Sequence, residues 1–127
     1  DVGHNPHAAK ELAKTLSELP KATRQVAVFG MLSDKDRPQV CRIMVSSFNK
    51  WYLSDLQGPR GGIAQDLCAM LSEAGVPQEK IQTFKTVEEA LQRAIEEAHE
   101  TDRIVTFGSF LTVASAIEYL KEKVGRN

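Results

Sequence analysis

Segments with apolar residues at helical spacing alternate along this chain with short β-branched or aromatic runs. That alternation restricts the fold more than any other feature. Ala9, Leu12, Ala13, Leu16 and Leu19 recur at three- and four-residue intervals, so residues 6–19 read as a helix. Residues 24–30 (RQVAVFG) read as a strand, 35–47 as a helix, and 48–55 (FNKWYLSD) as a strand ending at an acid. A GPRGG loop at 58–62 leads into a helix with Ile63, Leu67, Met70, Leu71 and Ala74 on one face, closed by Gly75 as C-cap with Pro77 beyond it. Residues 81–85 form a brief strand, and Thr86 then caps a helix lined by Val87, Ala90, Leu91, Ala94, Ile95 and Ala98. Residues 103–108 (RIVTFG) are the last strand, and Phe110, Val113, Ile117, Leu120 and Val124 line the last helix.

The order αβαβαβαβα predicts a three-layer, Rossmann-like α/β domain, a mainly parallel sheet with helices on both faces. The mostly apolar strands agree, since central parallel strands are buried on both sides. A chain of 127 residues fits a single domain over 1–127. It opens where the carboxyl end of a strand is expected, so a truncated strand before Asp1 and an excised domain are anticipated.

Composition excludes several classes. A net charge of −1 lacks the basic excess that non-specific nucleic-acid binding needs. No apolar run reaches the roughly 20 residues of a membrane span, and the N-terminus is no signal peptide. Cys41 and Cys68 fall on apolar helix faces and read as buried, reduced thiols of a cytoplasmic protein. No CxxC and no His/Cys pairing at ligand spacing occurs, so no metal held by this chain alone is expected.

Ligands of open parallel sheets bind beyond the carboxyl ends of the strands, which selects Asp1–Pro6, Gly30–Asp36, Asp55–Gly62 and Gly108–Thr112. In DVGHNPHAAKEL, Asn5 suits an N-cap and Pro6 the first helical turn, whereas capping has no use for Asp1 or His4. A ligand contact and a plain turn both remain open for that pair. In GMLSDKD, Ser33 or Asp34 can cap the next helix, and Ser33 with Asp36 resembles a capping box. Lys35 then opposes the helix dipole. Either it is a solvated lysine offset by Asp34 and Asp36, or it reaches an anionic ligand. Gly108 permits a tight turn and Ser109 a capped helix start, whose N–H groups suit a carboxylate or phosphate. Neither a GxSxG elbow nor a Walker A motif occurs, so a nucleophilic Ser109 is disfavoured and any triphosphate grip of an ATP-using parent lies elsewhere. Arg60 sits in a Gly/Pro loop expected to be mobile, as a possible anion contact or an ordinary surface arginine.

Together, DVGHNPHAA, GMLSDKD, GPRGG and FGSFLTVASA resemble the C-terminal domain of the bacterial dihydrofolate synthase/folylpolyglutamate synthases, within the Mur ligase superfamily. The four segments stand in the family's order from Asp1 to about Lys121, with Gly3 where the family commonly has alanine. The resemblance implies an ATP-dependent ligase that adds L-glutamate to dihydropteroate or to a folate's terminal glutamate through an acyl phosphate. It implies ATP and Mg2+ in the intact enzyme, with the P-loop, magnesium ligands and pterin site in an N-terminal ATPase domain absent from this chain. It implies that Asp1 contacts the nucleotide ribose, and that His4 and Asn5 are glutamate-side or interdomain contacts. It further implies that Lys35 and Ser109, or the helix start at Ser109, meet substrate carboxylates. The expected assembly is a monomer, inactive without its partner domain.

Two other classes share this architecture. A phospho-receiver would use Asp55 at its strand end, but it wants a paired acidic cluster and a lysine after the last strand, where GSFL stands. A bare interaction domain would bind no small molecule.

Overall fold

A computed structural model describes residues 5–125, without the side chains of 110, 111 and 122–125. Helices and strands alternate as α1 (Pro6–Glu18), β1 (Gln25–Phe29), α2 (Arg37–Met44), β2 (Lys50–Ser54), α3 (Ala64–Glu73), β3 (Ile81–Phe84), α4 (Val87–Glu97), β4 (Arg103–Phe107) and α5 (Phe110–Gly125). Short 3-10 turns at Val45–Ser47 and Gln78–Lys80 lead into β2 and β3.

The strands form one sheet of order β3-β2-β1-β4, and every pairing in it is parallel. The chain steps outward from β1 to β2 to β3, then returns across the sheet to β4. A right-handed crossover places its helix on one face when the chain steps one way and on the other face when it steps back. The core divides accordingly. Ala9 and Leu16 of α1, Val40 and Met44 of α2, and Leu67 and Leu71 of α3 cover the face presented by Ala27, Phe29, Trp51, Leu53 and Phe107. Ala90, Leu91 and Ala94 of α4, with Ala116 of α5, cover Val26, Val28 and Tyr52 on the other. The first face is dominated by aromatic contacts, with Phe29 stacked on Phe107 at 4.6 Å and Phe48 edge-on to Trp51 at 5.1 Å.

Local chemistry accounts for the ends of the elements. Asn5 accepts the Ala8 N–H at 2.8 Å and Thr86 accepts the Glu89 N–H at 3.1 Å, each relieving an orphan donor of its helix. After α3, Gly75 at φ +104 lies one place beyond the C-cap Ala74. The N–H groups of Gly75 and Val76 reach back to the carbonyls of Ser72 and Leu71, a Schellman ending that tucks Val76 into the core.

Two expectations change. The helix predicted over 35–47 is regular only from Arg37, because Asp36, not Ser33 or Asp34, is its N-cap, accepting the Gln39 N–H at 3.4 Å. Lys35 therefore precedes the helix, and its conflict with the helix dipole disappears. Two members of the apolar line predicted for the last helix also turn outward: Ile117 and Leu120 are 47% and 44% exposed, whereas Thr112 and Ala116 are buried. Helix α5 carries apolar residues on more than one side, so periodicity could not say which side packs.

Candidate functional site at the carboxyl rim

Strand order reverses between β1 and β4, the place where open parallel sheets bind ligands. The two strands stay in register up to Phe29 and Phe107, and each is followed by a glycine. Gly108 adopts φ +118, and a Cβ there would stand 2.2 Å from the Gly30 carbonyl oxygen. Glycine is required at 108 on both counts. The chain then enters α5 through Ser109, which is 4% exposed and caps the helix by accepting the Thr112 N–H at 3.1 Å. Orphan N–H groups and the positive end of the dipole make such a helix start suited to an anion.

The loop after β1 carries Lys35. It is braced by the GPRGG segment through an antiparallel bridge between Leu32 and Gly61. Ser33 donates twice to the Arg60 carbonyl, from its N–H at 2.8 Å and its hydroxyl at 3.1 Å. Added Cβ atoms would meet the Leu56 carbonyl oxygen at 1.8 Å from Gly61 and the Met31 carbonyl oxygen at 2.0 Å from Gly62. These glycines serve close backbone packing, and the loop expected to be mobile is instead pinned at several points. Arg60 spends its charge within the chain, on Asp34 at 2.9 Å. The ion pairs among the described residues do not include Lys35, which is half-buried at the rim.

Asn5 belongs to the same rim. The far end of α1 approaches the beginning of β4, where Arg103 donates to the Pro20 carbonyl, so the Asn5 end of the helix lies toward the carboxyl ends of the strands. Asp1 and His4 lie outside the described residues. Lys35 and Ser109 thus leave adjacent strands at one edge, with Arg60 and Asn5 on the same side. Asp55, the residue a phospho-receiver would use, accepts the Ala64 N–H at 2.6 Å and holds the start of α3. It lines a cleft of about 350 Å3 with Gln65, Thr83, Lys85 and Glu89. Among the described residues no cluster of His, Cys, Asp or Glu is arranged to hold a metal ion.

Groups with displaced pKa values lie away from this rim. Glu97 Oε1 accepts from Tyr52 at 2.7 Å, Gln82 at 2.9 Å and Lys50 at 3.1 Å, and these bonds, led by that from Tyr52, lower its pKa to about 2. Burial, with Glu97 beside it, raises the Tyr52 phenol. Two hydrogen bonds from Arg24, at 2.7 and 3.1 Å, lower the Asp102 carboxyl. Glu97 ends α4, while Arg24 and Asp102 directly precede β1 and β4. This network fastens the amino edge of the sheet. The rim itself offers a cation, a helix start and hydroxyl groups, an arrangement for gripping an anionic substrate.

The family described as "Mur ligase, glutamate ligase domain" matches residues 1–110. The chain belongs to it. Similar full-length proteins include the dihydrofolate synthase/folylpolyglutamate synthase of Escherichia coli, 38% identical over 94% of this chain and 27% of the relative. The Haemophilus influenzae protein of the same description is 35% identical over 90% of the chain and 26% of the relative. This glutamate ligase domain thus spans about a quarter of the curated relatives it matches. Among solved structures, Escherichia coli FolC in complex with ADP superposes with a TM-score of 0.89 at 36% identity, over 98% of this chain and 29% of that one. A bifunctional folylpolyglutamate synthase/dihydrofolate synthase with Mn, AMPPNP and L-glutamate bound gives a TM-score of 0.81 at 36% identity, over 95% of this chain and 28% of that one.

Thr112 and the paired glycines 61 and 62 lay inside the selected segments, but their roles were not legible there. The glycines stood inside a recognised segment, but which backbone they approach is set by the fold. Thr112 looks like an ordinary residue of a helix's first turn until Gly30 is placed beside it.

Proposed function

We propose that this domain is the amino-acid-binding part of an ATP-dependent amide ligase, working with an N-terminal ATPase domain. The full enzyme adds L-glutamate to dihydropteroate, to the terminal glutamate of a folate, or to both. The carboxylate of the acceptor substrate attacks the terminal phosphorus of ATP, and ADP leaves. The glutamate amine then attacks the acyl carbon of the resulting mixed anhydride, loses a proton, and phosphate departs. No nucleophile from the protein is needed, and the domain's task is positioning and keeping water from the anhydride.

One observation carries this reading: the Lys35 loop and the Ser109 helix start leave neighbouring strands at the reversal of strand order. Glutamate brings two carboxylates, and the rim brings an ammonium with no ion-pair partner among the described residues and a helix start. Lys35 and Ser109 take the carboxylates. His4 and Asn5 stand on the glutamate or interdomain side, Asp1 meets the nucleotide ribose, and Arg60 keeps Asp34 as its anion. Nucleotide phosphates and Mg2+ are held by residues outside this chain. The enzyme acts as a cytoplasmic monomer.

In the full-length enzyme, Lys35→Ala is expected to raise KM for glutamate by on the order of tenfold or more, the size of one lost charge-assisted bond, and to leave KM for ATP near its starting value. An unchanged glutamate KM removes Lys35 from the site. The 127-residue chain alone is expected to show no ATP-dependent glutamate addition.

A further inference from the structure

The two arms of the rim are joined by one buried side chain. Thr112 is completely buried, and its Oγ1 lies 2.8 Å from the Gly30 carbonyl oxygen and 3.0 Å from Ser109 Oγ. A threonine hydroxyl has one proton, and a carbonyl oxygen can only accept. The Thr112 proton therefore goes to Gly30. With that proton committed, the Ser109–Thr112 contact is a hydrogen bond only if Ser109 donates, while Ser109 Oγ also accepts the Thr112 N–H at 3.1 Å. A directed chain results, from Ser109 to Thr112 to the end of β1. Gly108 presses on the same carbonyl, so the junction has no room to slide.

We propose that Thr112 is a positioning residue of the amino-acid site. It ties the loop that carries Lys35 to the helix start that carries Ser109, and it holds the Ser109 proton in one direction until a carboxylate arrives. An incoming carboxylate takes that proton in a charge-assisted bond, stronger than the neutral contact it replaces. The Thr112–Gly30 bond is untouched by this exchange, so the spacing of the two arms survives ligand binding. Valine has the same shape but no proton to give. It leaves the Gly30 oxygen facing a methyl group and frees the arms to separate. The assignment rests on the reading of the rim as a glutamate site.

The test is steady-state kinetics on the full-length enzyme carrying Thr112→Val, Thr112→Ser or Lys35→Ala, with a thermal melt of each. Thr112→Val is expected to raise KM for glutamate about tenfold, equivalent to about 1.4 kcal/mol, with KM for ATP changed less than about twofold. Thr112→Ser, which restores the hydroxyl, is expected to return glutamate KM close to the starting value. The positioning role is overturned if Thr112→Val leaves glutamate KM unchanged, if it raises both Michaelis constants alike, or if Thr112→Ser fails to rescue. Should Thr112→Val not fold, Thr112→Ser and Thr112→Ala are compared at the same temperature, and equal glutamate KM values for those two overturn it. A normal glutamate KM in Lys35→Ala as well would remove the underlying site. A raised value in Lys35→Ala alone removes only Thr112.

Discussion

The Tyr52 hydroxyl donates to Glu97 Oε1 at 2.7 Å, joining a central strand to the last turn of α4. Gln82 and Lys50 converge on the same oxygen, so one carboxylate binds β2, β3 and α4 together at the edge opposite the carboxyl rim.

The Glu97 carboxyl titrates near 2 in the fold against an ordinary value of 4.5. Its pKa is depressed by folding, so its contribution is fully present above about pH 4.5 and is lost as pH falls toward 2. Urea denaturation between pH 6 and pH 2.5 should show stability declining through this window. Glu97→Gln should flatten part of that decline, and an equally steep loss in the variant would exclude Glu97 as its source.

Tyr52→Phe keeps the ring in its buried place but deletes the leading donor to Glu97. A hydrogen bond to a charged group is worth about 1.5–3 kcal/mol, and the urea midpoint should fall by a corresponding amount at pH 7. At pH 2 the cost should shrink, because a protonated Glu97 is a weaker acceptor.

Glycines of the GPRGG segment should differ sharply in tolerance. Gly61→Ala and Gly62→Ala drive a Cβ to within 2.0 Å of backbone oxygens and should destabilise by more than about 3 kcal/mol, beyond ordinary overpacking. Gly58 has φ +99 with open space around it, so Gly58→Ala should cost only about 1–2 kcal/mol of backbone strain. Parallel thermal melts of the three variants check the order.

Cys41 is fully buried, and burial pushes its thiol up to about 12. Cys68 is also buried. Neither should react with a disulfide reagent at pH 8 until denaturant is added, since burial denies the reagent access to both and at Cys41 also suppresses the reactive thiolate. Rapid labelling of Cys41 in the native protein would contradict the packing of α2 on the sheet.

The element order, the side-chain caps at Asn5, Thr86 and Ser109, and the burial of both cysteines were legible in the sequence, because each depends on residues close together in the chain. The start of α2 was misplaced for the converse reason. Ser33 has the right side chain for a cap, yet it spends its hydroxyl on Arg60, 27 residues away. Likewise Ile117 and Leu120 keep perfect helical spacing but face outward, because α5 meets the sheet through Thr112 and Ala116.

Periodicity and glycine placement were enough to dictate a parallel α/β domain whose carboxyl rim carries Lys35 and Ser109, since hydrophobic spacing and turn chemistry act over a few residues. Only the folded chain decided that Gly61 and Gly62 are braces, that Arg60 answers Asp34, and that Thr112 bridges Gly30 and Ser109. Those outcomes depend on which strands become neighbours, and neighbours here come from burying two sheet faces at once. No local pattern encodes a contact across 82 residues.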